Sequence, residues 1–96
     1  MNVSEIIARV VAIVRQYLSP DQYEAVLFGS QAQGTALPTS DIDIGIIGTQ
    51  LVPFAFMAKI LDQVEAIPTL RKIDVVDLNT FEPDIKNNIL SYAKRI

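Results

Sequence analysis

The residues most able to do chemistry in this chain of 96 amino acids are Gly29-Ser30 and, ten residues further on, Asp41-Ile42-Asp43. Gly-Ser at the end of an apolar run can bring backbone N–H groups and a hydroxyl up to phosphate oxygens. Glycine tolerates positive φ and close approach, and serine can donate to an oxyanion and cap a following helical turn, whose start favours anions. Asp-x-Asp on a strand places two carboxylates on one face, about 6–7 Å apart at Cα. Two such carboxylates repel one another, and one tends to take up a proton. A divalent cation converts that repulsion into coordination, and Mg²⁺ favours a few carboxylates together with waters and substrate phosphates. Phosphate donors beside paired hard-oxygen ligands therefore suggest a Mg²⁺-nucleotide site. Alone, either feature is ordinary: Gly-Ser is a common turn and Asp-x-Asp a common solvated strand face. The Gly-Lys-[Ser/Thr] ending of a P-loop is absent.

A third carboxylate lies in Lys72-Ile73-Asp74-Val75-Val76-Asp77-Leu78. Asp74 and Asp77 have opposite strand parity, so both cannot face one metal site without a bulge. Asp74 opens the strand and is chosen; Asp77 is expected to face solvent.

The elements that position these residues follow from hydrophobic periodicity. Ile6, Ile7, Val10, Val11, Val14 and Leu18 form the i, i+3, i+4 stripe of an amphipathic helix over Ser4–Leu18. Asn2 and Glu5 fit a capping box, and Ser19-Pro20-Asp21 ends the helix. Ala25–Gly29 reads as a buried strand, followed by a helical turn at Ser30–Gln33 and a loop shaped by Gly34 and Pro38. Asp41–Gly48 reads as a second strand, Val52–Ile67 as a second helix with Pro53 in its first turn, and Lys72–Leu78 as a β-branched third strand. A last helix runs from Glu82-Pro83-Asp84 to about Arg95. The order α-β-β-α-β-α predicts an α/β (α+β type) domain over residues 1–96. Its one small sheet carries helices mainly on one face, leaving the aspartate face open to a ligand.

Composition narrows the chemistry. There is no cysteine and no histidine, so disulfide frameworks, zinc–thiolate and zinc–histidine sites and Ser-His-Asp triads are excluded. Acid–base work falls to carboxylates, lysine or tyrosine. The formal net charge of −3 argues against salt-driven nucleic-acid binding. No stretch reaches the roughly 20 apolar residues of a membrane span. The apolar N-terminus is interrupted by Glu5, Arg9 and Arg15 and lacks a cleavage pattern, so no signal peptide is read and a cytoplasmic location is expected.

Taken together, Gly29-Ser30, the ten-residue spacer, Asp41-Ile42-Asp43 and the later Ile73-Asp74-Val75 resemble the DNA polymerase beta-like nucleotidyltransferase superfamily. The chain length, the spacer and Ser40-Asp41-Ile42-Asp43-Ile44 are most similar to the minimal nucleotidyltransferases (MNT, or MntA-like, proteins). The resemblance covers essentially the whole chain. It implies a mixed sheet with helices on one side. It further implies that Asp41 and Asp43 hold two Mg²⁺ ions, that Asp74 binds one of them and helps activate an attacking hydroxyl, and that Gly29 and Ser30 hold the β- and γ-phosphates of ATP. It implies a HEPN-domain toxin as partner, in a toxin–antitoxin pair where the antitoxin transfers AMP to a tyrosine. Gln31 and Gln33 stand where the family often has arginine, and glutamine brings neither charge nor a bidentate guanidinium.

The need for a partner has a physical basis as well. Three site segments and three helices use up these residues and leave none for base or acceptor recognition, and a core this small is marginal alone. Two readings follow: a nucleotidyltransferase acting on a partner hydroxyl, or a binding module that neutralises its partner by masking it, which the two glutamines favour. A small nucleic-acid-modifying polymerase fits an acidic chain without an aromatic stacking platform poorly.

Overall fold

The computed structural model describes residues 1–96. Helix α1 (Val3–Tyr17) leads into strand β1 (Tyr23–Phe28), the short helix α2 (Gly29–Gln33) and strand β2 (Ile42–Gly48). Helix α3 (Phe54–Glu65), strand β3 (Ile73–Asp77), a 3₁₀ turn (Leu78–Thr80), helix α4 (Pro83–Tyr92) and the two-residue strand β4 (Lys94–Arg95) follow. The Asn2 side chain caps α1, its Oδ1 accepting the Glu5 N–H at 2.8 Å, and Pro83 takes the first turn of α4, where no N–H is missed.

The four strands lie in the order β3-β2-β1-β4. β1 is antiparallel to both β2 and β4, whereas β2 and β3 run parallel across the α3 crossover. Strand alternation then sorts the side chains. Ile42, Ile44 and Ile46 of β2 are fully buried on one face, against Ile6, Val10 and Val14 of α1 and Ile60 and Val64 of α3. The opposite face carries Asp43 and Asp74. The two longest helices thus share one face, as expected. α4 packs on the other, where Ile89 meets Val26 and Leu78 in a small second core. Only glycine fits at position 45 beneath it, because a Cβ there would sit 2.6 Å from Leu78 Cδ1. The aspartate face is therefore open at one end only.

Two expectations need correction. The last helix stops at Tyr92 rather than Arg95: Ala93 turns extended (ψ 149°), Lys94 and Arg95 pair with Leu27 and Val26, and Ile96 N–H reaches the Ala25 carbonyl at 3.1 Å. The unpaired edge of β1 offers these residues ladder hydrogen bonds that another helical turn would not. Asp77 does not face solvent. It is 9% exposed; its Oδ2 accepts the Val52 N–H at 2.8 Å and its Oδ1 accepts the Asn79 N–H at 2.9 Å. It caps the 3₁₀ turn and pins the entry to α3. No helix is long and apolar enough to cross a membrane.

Candidate functional site

The parallel register of β2 and β3 sets Asp43 directly beside Asp74, on the face away from the main core. The antiparallel register of β1 and β2 sets Phe28, the residue before the Gly-Ser turn, beside Asp43. Two strand pairings therefore bring three segments, far apart in sequence, to one end of the sheet. Gly29 has φ +67°, a conformation costing other residues about 1–2 kcal/mol. A Cβ at this position would collide with Asp43 Oδ2. Glycine is thus favoured by its backbone angle, and its lack of a side chain lets the turn lie against the Asp43 carboxylate. α2 ends at Gly34, also left-handed (φ +75°), where a side chain would meet nothing. The first of these glycines serves the site and the second the chain reversal.

The carboxyl of Asp43 is pushed above its ordinary value. Partial burial is the largest cause, followed by the charges of Asp74 and Asp41 and a side-chain hydrogen bond with Asp74; Lys72 acts in the opposite sense. Lys72 Nζ lies 3.9 Å from Asp74 Oδ2. It is an exposed cation at the rim of the site, which the sequence reading did not single out. Arg71 Nη1 donates to the Ser40 carbonyl at 3.3 Å, and Ile42 N–H to the Lys72 carbonyl at 2.9 Å. These bonds tie the start of β3 to the segment carrying Asp41.

The five residues singled out from the sequence are not equally assembled. Gly29, Asp43 and Asp74 come together; Ser30 follows Gly29 and is half-buried. Asp41 is exposed, one residue ahead of β2, and the three aspartates do not converge on a single point. The donor set fits Mg²⁺: oxygen ligands only, two facing carboxyls, and a raised proton affinity that a divalent cation would relieve. Sequence reading missed Tyr92, whose hydroxyl accepts the Gly29 N–H at 3.3 Å. Tyr92 lies on the apolar stripe of its helix, three residues after Ile89, so its ring reads as core and nothing local marks its hydroxyl.

A parallel strand pair with facing carboxylates next to a glycine turn has the chemistry of a phosphoryl-transfer class of site. The comparisons agree with that class. Residues 11–96 match the polymerase beta nucleotidyltransferase family model, and the chain belongs to that family of nucleotidyltransferases. No curated protein matches it. Among solved structures, it is similar to one assigned to a minimal nucleotidyltransferase, with TM-score 0.72 and 21% identity over 100% of this chain and 97% of the other. It is also similar to a toxin–antitoxin crystallised with AMP-PNP, with TM-score 0.69 and 22% identity over 92% of this chain and 69% of the other. A third is a tri-AMPylated Shewanella oneidensis HEPN toxin in complex with an MNT antitoxin, with TM-score 0.66 and 17% identity over 96% and 69% of the two chains. These likenesses establish a shared fold.

Proposed function

We propose that residues 1–96 act as one minimal nucleotidyltransferase domain, an antitoxin that transfers AMP from ATP to a hydroxyl of a HEPN-type toxin in the cytoplasm. The acceptor we favour is a tyrosine. The observation that carries this reading is the Asp43–Asp74 pair, set side by side by strand register with Gly29 pressed against Asp43. The complexes named among the similar structures support the kind of partner and the kind of modification.

In this reading Asp41, Asp43 and Asp74 hold two Mg²⁺ ions, which when bound supply positive charge against the carboxylates and the triphosphate. Ser30 donates its hydroxyl to the β- and γ-phosphates, and Gly29 lets the backbone come close enough for it to do so. Asp74, on the edge strand, receives the proton of the acceptor hydroxyl. The acceptor oxygen bonds to the α-phosphorus while the bond to the β-phosphate oxygen breaks, and pyrophosphate leaves. A protonated tyrosine, with a free pKa near 10, is a poor nucleophile, so a carboxylate poised beside it contributes directly. No histidine is needed. Positioning and electrostatics carry the rate.

A second reading, neutralisation by masking alone, is favoured by Gln31 and Gln33, which leave the turn without a cation of its own. The two are separated by mixing the chain, ATP, Mg²⁺ and the HEPN-type partner and weighing the partner by intact mass spectrometry. Transfer predicts one or more AMP adducts, absent with Asp41→Asn. A partner left unmodified, yet neutralised equally by wild type and Asp41→Asn, would establish masking instead.

A further inference from the structure

The turn that meets Asp43 lacks the partner that usually steadies such a turn. The residue at the cap position of α2 is Phe28, whose side chain offers no hydrogen bond. The helix itself is only five residues long. The Gly29 N–H is instead taken by the phenol oxygen of Tyr92, at 3.3 Å and 63 residues away in sequence. This contact follows from the strand that terminates α4. β4 pairs Lys94 with Leu27 and Arg95 with Val26, which docks the end of α4, and with it Tyr92, beside the end of β1 that leads into Gly29. The Tyr92 ring packs against the main core, so its oxygen is held by a buttressed side chain rather than a free one.

We infer that Tyr92 is a positioning residue for the polyphosphate of the nucleotide, acting through the Gly29–Ser30 turn. Glycine at position 29 has no side chain to anchor it and a backbone angle that glycine itself can leave at little cost. The Tyr92 hydroxyl supplies the missing constraint. It holds Gly29 against Asp43, and so fixes the distance between the phosphate donors and the carboxylates. It also takes up the Gly29 N–H, leaving the Ser30 hydroxyl and Ser30 N–H as the donors that face the ligand. This assignment rests on the nucleotidyltransferase reading above and adds to it a residue from the opposite end of the chain.

Tyr92→Phe keeps the ring and removes only the oxygen. Titration calorimetry with Mg²⁺ and either ATP or AMP separates positioning from support of the fold, because AMP has no β- or γ-phosphate. The expected result is a dissociation constant for ATP raised about five- to tenfold, the worth of one hydrogen bond in a binding site. AMP binding should stay at the wild-type level, and the melting temperature should fall by no more than the loss of one part-buried hydrogen bond entails. Equal affinities for ATP in variant and wild type would overturn the assignment, as would equal losses for ATP and AMP. Wild-type protein that binds no ATP would sink the nucleotidyltransferase reading itself, and the role of Tyr92 with it. Amide hydrogen exchange on the wild-type protein gives a check that needs no variant. The Gly29 amide should exchange more slowly than that of Ser30, and equal rates would contradict the tether.

Discussion

Asp74 and Asp77 lie three positions apart on one strand and do opposite work, and burial explains the difference. Asp74 is half-exposed beside Asp43 and Lys72, with no backbone N–H bonded to it. Asp77 points to the core face and uses both carboxylate oxygens on backbone donors. An asparagine at 77 has a single acceptor oxygen and would leave one buried N–H unpaired, at a cost of about 1–3 kcal/mol. Asp77→Asn should therefore lower stability by that amount in denaturant unfolding while leaving the Mg²⁺ dependence of nucleotide binding intact. Asp74→Asn should do the reverse, keeping the fold and abolishing transfer. If both substitutions destroyed activity at unchanged stability, the division of roles between the two residues would be wrong.

At the scale of elements, the glycine turn gives the sharpest contrast. Gly29→Ala and Gly34→Ala both place a methyl group on a left-handed residue, and each should cost about 1–2 kcal/mol for that reason. Only Gly29→Ala also drives a methyl into Asp43. It should be the less stable of the two in denaturant unfolding and should lose nucleotide binding, whereas Gly34→Ala should retain it. The same elements show what was readable in the sequence. The stripe from Ile6 to Leu18, the alternation through Ile42–Ile46 and the β-branched run Ile73–Val76 gave α1, β2 and β3 to within a residue or two, because each buries one face against a core. The side-by-side placement of Asp43 and Asp74 was legible once β3 was put next to β2. What escaped was set by tertiary contact. β4 is two residues long and exists only because β1 has a free edge. The burial of Asp77 depends on Val52, 25 residues away. The bond from Gly29 to Tyr92 depends on β4, and no local pattern encodes it.

For the molecule as a whole, the Asp43 carboxyl ties stability to pH. Burial, then the charges of Asp74 and Asp41, raise the proton affinity of Asp43 in the folded state. The folded chain therefore binds this proton more tightly than the unfolded chain. Its contribution to stability is fully present below the ordinary aspartate pKa and is lost as pH rises through the raised value. In a chelator, the melting temperature should fall across that window, and Asp43→Asn should flatten the fall. Mg²⁺ should restore stability above the window and do little below it, where the carboxyl is protonated. A melting temperature insensitive to Mg²⁺ at neutral pH would contradict this account of the carboxylates. The central claim is that these carboxylates and the glycine turn form one metal-dependent nucleotide site. Calorimetric titration of ATP, with and without Mg²⁺, into wild type and Asp43→Asn tests it most directly. Binding by wild type only when Mg²⁺ is present, and loss of that binding in Asp43→Asn, is the predicted result. Equal binding with and without the metal, or by both proteins, would contradict it.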